Sequence, residues 1–256
     1  MDVPGVVRSS RDVAGGHRVT LELEGDREAI PAILLLPNAI ATDRVPAALL
    51  LHGYTSRKER MAEGIGRALL MRGVAALAID LPFHGERKGT LDQLSFRNPL
   101  QLVGAWRLAL SEIRLALDFL TELASVNAEC LAIVGYSLGS FLSVVAAAND
   151  ARVRVVALAS GGDLPAETPF ASVVRAAADP LRAVRKLAGR PLLMVNGRLD
   201  RTIKASQAER LFAAAGDPKE MRWYNGGHWP PPSEVEFAAE WLAGRLRRGR
   251  SAERRA

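Results

Sequence analysis

The chain has 256 residues, 48% hydrophobic and 24% charged, with one cysteine and a formal net charge of +6. That length can bury one large core, and the composition is that of an ordinary globular protein. Disordered, collagen-like and disulfide-stapled classes are excluded, and Cys130 has no partner for an intrachain disulfide. No apolar run approaches the roughly 18–20 residues that a membrane-spanning helix needs. The opening M-D-V-P-G-V-V-R-S-S-R-D carries no apolar signal region, so the expected compartment is the cytoplasm, with no membrane partner. The charge is local: residues 245–256 hold six arginines against the single acid Glu253, a net +5 that leaves +1 for residues 1–244. A basic, flexible tail over 247–256 behind a nearly neutral body is expected, and no nucleic-acid partner.

Strand-like and helix-like blocks alternate from residue 19 on. Val19 to Leu23 and Ala32 to Leu36 read as an opening pair of strands around a turn near Gly25. Ala47 to Leu51, a short apolar run between Pro46 and His52-Gly53, reads as a strand buried on both faces. Glu59 to Arg72 has Met61, Ile65, Ala68 and Leu69 at helical spacing and stops at Gly73. Val74 to Ile79 is a second buried strand, ending at Asp80. Pro99 to Ser125 is a long amphipathic helix. Leu131 to Val134 is a strand followed by a helix of small residues, Ser140 to Ala148. Strands at Val153 to Ala159, Pro191 to Asn196 and Met221 to Tyr224 follow, with helices at Ser206 to Ala215 and Glu234 to Leu246. Such alternation predicts an α/β fold with a mostly parallel sheet and helices on both faces. Residues 1–246 read as a single domain. Gly161 to Arg190 is the one connection that does not resolve into a single crossover helix, and is the expected place for a small lid.

Gly135-Tyr136-Ser137-Leu138-Gly139 matches G-x-S-x-G, with a strand running into it and a helix following. This is the setting of a nucleophile elbow, a tight turn that lifts a serine hydroxyl above the sheet. A serine hydroxyl needs a base, and the base an orienting carboxylate. His228, in Asn225-Gly226-Gly227-His228-Trp229, is the only histidine downstream of Ser137. Two acids follow strands on loops that could reach it, Asp200 in Gly197-Arg198-Leu199-Asp200 and Asp163 in Gly161-Gly162-Asp163. Asp200 follows the strand immediately before the histidine strand. Asp179 and Asp217 read as ordinary surface or helix-end residues. Charge developing on a substrate oxygen needs donors in place beforehand. The backbone N–H of Leu138 is one candidate. The N–H of Tyr54, in His52-Gly53-Tyr54-Thr55-Ser56 after the strand Ala47 to Leu51, is the other. His52 precedes the serine and reads as a structural histidine. His84-Gly85-Glu86-Arg87 reads as a substrate contact or as a loop-stabilising network. No H-E-x-x-H, C-x-x-C or acidic cluster points to a metal. Glu63-Gly64-Ile65-Gly66 follows no strand and is not a dinucleotide fingerprint. No cofactor is expected.

His52-Gly53-Tyr54, Asp80-Leu81-Pro82-Phe83-His84-Gly85, Gly135 to Gly139, Gly197 to Asp200 and Gly227-His228 occur in an order that resembles the α/β-hydrolases. The H-G-Y and D-x-P-x-H-G elements are similar to serine esterases of the prolyl-oligopeptidase-like and dienelactone-hydrolase-like branch. The resemblance covers roughly residues 19–246. It implies an eight-stranded, mostly parallel sheet and a triad of Ser137, Asp200 and His228. The chain departs from dienelactone hydrolases in carrying Ser where they carry Cys, and no propeller domain is read in these 256 residues. The function implied is hydrolysis of small-molecule carboxylic esters, with a thioesterase or amidase on the same triad as the alternative. A non-catalytic binding protein on the same fold is the more distant rival. Leu164, Phe170, Val173, Val174, Leu181, Val184 and Leu187 supply enough apolar surface to seat a lid but little to line a long tunnel. Short acyl groups of about two to six carbons are therefore expected to be preferred, since burial of each further methylene needs a pocket.

Overall fold

The computed structural model describes residues 5–38, 44–89, 98–164, 175, 178–187 and 189–253. Among these residues nine strands form one sheet: β1 (Val6–Val13), β2 (Gly16–Leu23), β3 (Ile30–Pro37), β4 (Val45–Leu51), β5 (Ala75–Ile79), β6 (Val126–Tyr136), β7 (Val153–Ala159), β8 (Leu192–Gly197) and β9 (Lys219–Tyr224). Their order across the sheet is β1-β2-β3-β5-β4-β6-β7-β8-β9. From β5 to β9 all neighbours are parallel, and β1, β2 and β3 add an antiparallel edge. The strand count is one more than expected. The additional β1 is exposed along its length, so no burial constraint writes an apolar alternation into Val6–Val13.

The central strands read as unbroken apolar runs because both faces of the sheet are covered. Along β4, Ala47, Leu49 and Leu51 face the layer of α3 (Pro99–Glu122), α4 (Leu138–Asn149), α5 (Pro180–Arg185) and α6 (Ala205–Ala214). Ala48 and Leu50 face the opposite layer, made of α1 (Lys58–Met61), α2 (Arg67–Leu70) and α7 (Pro232–Glu253). The α3 helix starts at Pro99, with Asn98 Oδ1 accepting from Leu100 N (3.0 Å). Proline costs nothing at the first helical position and the Asn cap satisfies a free donor.

Between α1 and α2 the expected continuous helix is interrupted by a π-turn, Ala62–Gly66, in which Gly64 leaves helical geometry (φ −86°, ψ −106°). Two glycines in four residues lower the cost of that interruption. A Cβ on Gly66 would lie 3.1 Å from Leu35 and Leu50, so the glycine lets this turn sit close on the sheet. The last helix continues through Glu253, beyond the expected start of the tail at 247. In the segment expected to form a lid, Val184 and Leu187 are buried in the main core beside α4, so its described C-terminal part is seated on the body. Phe170, Val173 and Val174 lie outside the described residues. No helix among the described residues is long and apolar enough to cross a membrane.

The loop after β5 is fixed by buried charge. Asp80 is fully buried; its carboxylate accepts from Lys58 N and Nζ, both at 2.8 Å, and from Glu86 N (3.0 Å). Lys58 Nζ also bonds Glu86 (2.6 Å) and Glu59 (3.0 Å). Burial alone pushes the Lys58 ammonium down, but these carboxylates outweigh it and hold it above the ordinary lysine value. Arg87 makes a bidentate pair with Glu112 (2.8 and 2.7 Å) and reaches Glu28 (2.9 Å). Gly85 (φ 58°) is required here, since a Cβ would fall 2.2 Å from the Asp80 carboxylate. Lys58→Met should destabilise the fold by about 3–5 kcal/mol, because removing one partner strands a buried charge. Urea unfolding at neutral pH checks this, and a change below about 1 kcal/mol would mean that water reaches Asp80.

Candidate active site

Strand β6 enters the elbow at Tyr136, and Ser137 takes φ 52°, ψ −112° before α4 begins. A positive φ in a non-glycine residue is strained and persists only where the surroundings enforce it. The enforcement is visible in the flanking glycines. A Cβ on Gly135 would fall 2.2 Å from Gly139 O, and one on Gly139 would fall 2.2 Å from Leu51 O. The turn is tied down further by Ser137 N donating to Ala159 O (2.9 Å) and Ser140 Oγ donating to Ser137 O (2.6 Å).

Ser137 Oγ lies 2.9 Å from His228 Nε2, and His228 Nδ1 lies 2.8 Å from Asp200 Oδ2. A carboxylate can only accept, so the ring proton sits on Nδ1 and leaves Nε2 free to accept from the serine hydroxyl. The other Asp200 oxygen accepts from Thr202 N (2.8 Å) and Ile203 N (3.0 Å). Burial raises the Asp200 carboxyl, but the bonds from His228 and from these two backbone N–H groups outweigh it and hold it below the usual carboxylate range. Asp163, the other acid the sequence offered, faces Arg175 (2.7 Å) and Arg210 (3.1 Å).

The histidine loop is held by residues that sequence reading missed. Ser160, fully buried and at φ 50°, donates to His228 O (2.5 Å). Tyr224 Oη donates to Gly227 O (2.8 Å). Arg198 N and Leu199 N donate to Tyr224 O (3.0 Å) and Gly226 O (2.9 Å), which joins the acid loop to the histidine loop. Gly197 is small because a Cβ there would meet Gly227 O at 2.2 Å. Tyr136 stacks on Trp229 at 4.6 Å, next to the histidine. The one sequence signal for Ser160 was its place before Gly161-Gly162 at the end of β7.

On the other side of the serine, Tyr54 and Leu138 border one apolar pocket of about 110 Å³ with Leu81, Phe83, Trp106 and Leu142. Tyr54 belongs to the turn closed by Ser56 N donating to Gly53 O (3.1 Å), and Leu138 is the first residue of α4. A helix start presents N–H groups and the positive end of the helix dipole. A larger polar groove of about 1030 Å³, lined by Thr55, Arg57, Arg60, His84 and Trp229 among others, lies beside it. Among the described residues no group of three His, Cys, Asp or Glu could hold a metal ion.

His52 is structural, as its position before the serine suggested. Its Nε2 accepts from Leu81 N (3.1 Å) and its Nδ1 donates to Gly53 O (2.8 Å), so it braces the loop that carries Tyr54. Burial pushes its pKa down to about 4. The unfolded chain therefore takes up this proton first, and stability is lost as pH falls from about 6.5 to about 4, by roughly 3 kcal/mol from this group. Burial lowers His84 in the same direction. Urea unfolding at pH 7 and pH 4.5 should show a smaller acid loss in His52→Asn than in the wild type. Equal losses would assign the effect to other groups.

The alpha/beta hydrolase family matches the chain over residues 48–230. The chain belongs to the alpha/beta hydrolase family. A cold-adapted esterase from an Arctic intertidal metagenomic library is similar in structure at a TM-score of 0.75 and 23% identity, covering 96% of this chain and 100% of that one. Acetyl xylan esterase 1 from Thermoanaerobacterium sp. JW/SL YS485 reaches a TM-score of 0.76 at 17% identity, covering 96% of this chain and 89% of that one. These likenesses establish the shared fold. A polyketide transferase from Stachybotrys chlorohalonatus (strain IBT 40285) is 31% identical over 154 residues, 59% of this chain. The match spans about half of that relative, 48% of its length.

Proposed function

We propose that this alpha/beta hydrolase cleaves carboxylic esters of short acyl groups through an acyl-enzyme on Ser137. The observation that carries the reading is the hydrogen-bonded line Ser137 Oγ, His228, Asp200, at 2.9 and 2.8 Å. In this reading the Ser137 oxygen attacks the ester carbonyl while its proton passes to His228 Nε2. The imidazolium formed is stabilised by Asp200, which stays ionised. The N–H groups of Tyr54 and Leu138 receive the carbonyl oxygen as it gains charge. Collapse of the tetrahedral adduct breaks the bond to the alkoxide, which leaves with the proton from His228. Water then gives its proton to the same nitrogen, attacks the acyl carbon and releases the acid and the serine hydroxyl.

The short-acyl preference is supported by the pocket beside Tyr54 and Leu138, about 110 Å³ and walled by Phe83 and Trp106. Two measurements test the proposal. A fluorophosphonate should label Ser137 and no other serine; lack of labelling would leave a non-catalytic binding protein on this fold. With nitrophenyl esters from acetate to palmitate, kcat/KM should peak at about two to six carbons, because burial of further methylenes soon saturates. A maximum at ten carbons or more would overturn the short-acyl part. Matched thioester and amide substrates distinguish the esterase from a thioesterase or amidase with the same machinery.

A further inference from the structure

His84 is the one histidine near the site that the triad and its supports do not use. It is 7% exposed. Its Nδ1 lies 2.8 Å from Pro82 O, an acceptor, so Nδ1 carries the proton. Its Nε2 is buried and has no hydrogen-bond partner among the described residues. Burial disfavours a second proton on this ring, which leaves Nε2 as a lone-pair acceptor. The ring is edge-on to His52 (5.0 Å) and to Tyr54 (5.9 Å), and it borders both the small apolar pocket and the polar groove. The residue before it, Phe83, is held at φ 67° and borders the same two spaces. A bulky side chain at positive φ is an outlier that marks sites where the surroundings override local preference. The polar network of Asp80, Lys58, Glu86, Arg87 and Glu112 clamps both ends of this corner.

A buried polar atom without a partner is costly, and folded proteins keep few of them. Here that atom belongs to a residue that borders the two spaces beside the proposed oxyanion donors. We propose that His84 Nε2 accepts a hydrogen bond from a hydroxyl group carried by the substrate, so that the preferred substrates are hydroxylated short esters. This rests on the ester-hydrolase reading and narrows it. The hydroxyl belongs to the acyl group if it is met in the small pocket, and to the alcohol if it is met in the groove. A site built to meet a hydroxyl discriminates against the analogue that lacks it, because the acceptor is then left unpaired.

The test uses two isosteric pairs in which a terminal methyl is replaced by a hydroxyl. Ethyl 3-hydroxypropanoate against ethyl butanoate reads the acyl side, and 2-hydroxyethyl acetate against propyl acetate reads the alcohol side. Corrected for alkaline hydrolysis of each ester, kcat/KM should favour the hydroxylated member of one pair about tenfold. The ratio should fall to about one in His84→Phe, which keeps the ring and removes the acceptor, and in His84→Asn. A ratio near one for both pairs in the wild type, or one unchanged in the variants, overturns the proposal. If neither variant folds, the ¹⁵N shift of His84 Nε2 is followed in Ser137→Ala as the favoured hydroxylated ester is added. The resonance should move toward that of a hydrogen-bonded imine nitrogen, and an unmoved resonance overturns the proposal. Failure of the hydrolase reading has a different signature: no fluorophosphonate labelling and no turnover of the plain esters.

Discussion

Ser137→Ala should reduce kcat for ester hydrolysis by about 10⁴–10⁶, the loss typical of deleting a triad nucleophile. In the proposed mechanism the variant removes the covalent step, while the N–H groups of Tyr54 and Leu138 would go on binding the carbonyl. The fold should be indifferent to the change even at this strained position. Ser137 sits at φ 52°, which alanine tolerates no better and no worse than serine, since both carry a Cβ. The bonds that fix the turn use backbone N and O of residue 137, not its hydroxyl. The melting temperature should therefore stay within a few degrees while turnover collapses. Hydrolysis at a wild-type rate would refute the acyl-enzyme route outright.

Asp200→Asn comes next in size, at about 10⁴ in kcat, an effect known from a comparable triad. The amide can no longer hold the proton on His228 Nδ1 while keeping both backbone donors, from Thr202 and Ile203, on its other oxygen. One arrangement turns the NH₂ toward Nδ1 and forces the wrong tautomer. The other turns it toward two N–H donors. Asp163→Asn is the control. It weakens ion pairs with Arg175 and Arg210, so its cost should appear as lowered stability and not as lost kcat. Reversal of that ranking would make Asp163 the functional acid.

The parts of the molecule that were readable in the sequence share a physical cause. Strands such as Ala47 to Leu51 and Val153 to Ala159 are buried on both faces, so burial wrote itself into continuous apolar runs. Ser137 and its glycines were readable because a turn this tight excludes other side chains. His228 was singled out by elimination, and Asp200 was preferred to Asp163 by chain order and family likeness; the structure brings Ser137, His228 and Asp200 into one hydrogen-bonded line. What was not readable depended on contacts distant in sequence. Ser160 meets His228 across 68 residues, and Arg87 meets Glu112 across 25. Neither spacing has a local pattern. The strand β1 escaped for the opposite reason: it is exposed, and its ladder with β2 rests on backbone bonds that any sequence can make, joined by the surface pairs Arg8–Glu22 and Asp12–His17. The π-turn at Gly64 was hidden inside an apolar spacing that fits an ordinary helix.

The joining of the acid loop to the histidine loop has a mechanical consequence. Gly197, Arg198 and Leu199 are locked to Tyr224, Gly226 and Gly227, so His228 and Asp200 ride on β8 and β9 as one piece. Ser137 rides on another piece, β6 with α4. Sliding of the outer strands would then leave the imidazole–carboxylate distance nearly constant and change chiefly the gap between Oγ and Nε2. The histidine loop is tied across this division by the Ser160 hydroxyl, which reaches the His228 carbonyl from the end of β7, the strand lying between the two pieces. Ser160 is thus a tie rod: it joins the His228 loop to the end of β7 without touching the Ser137 hydroxyl or the imidazole.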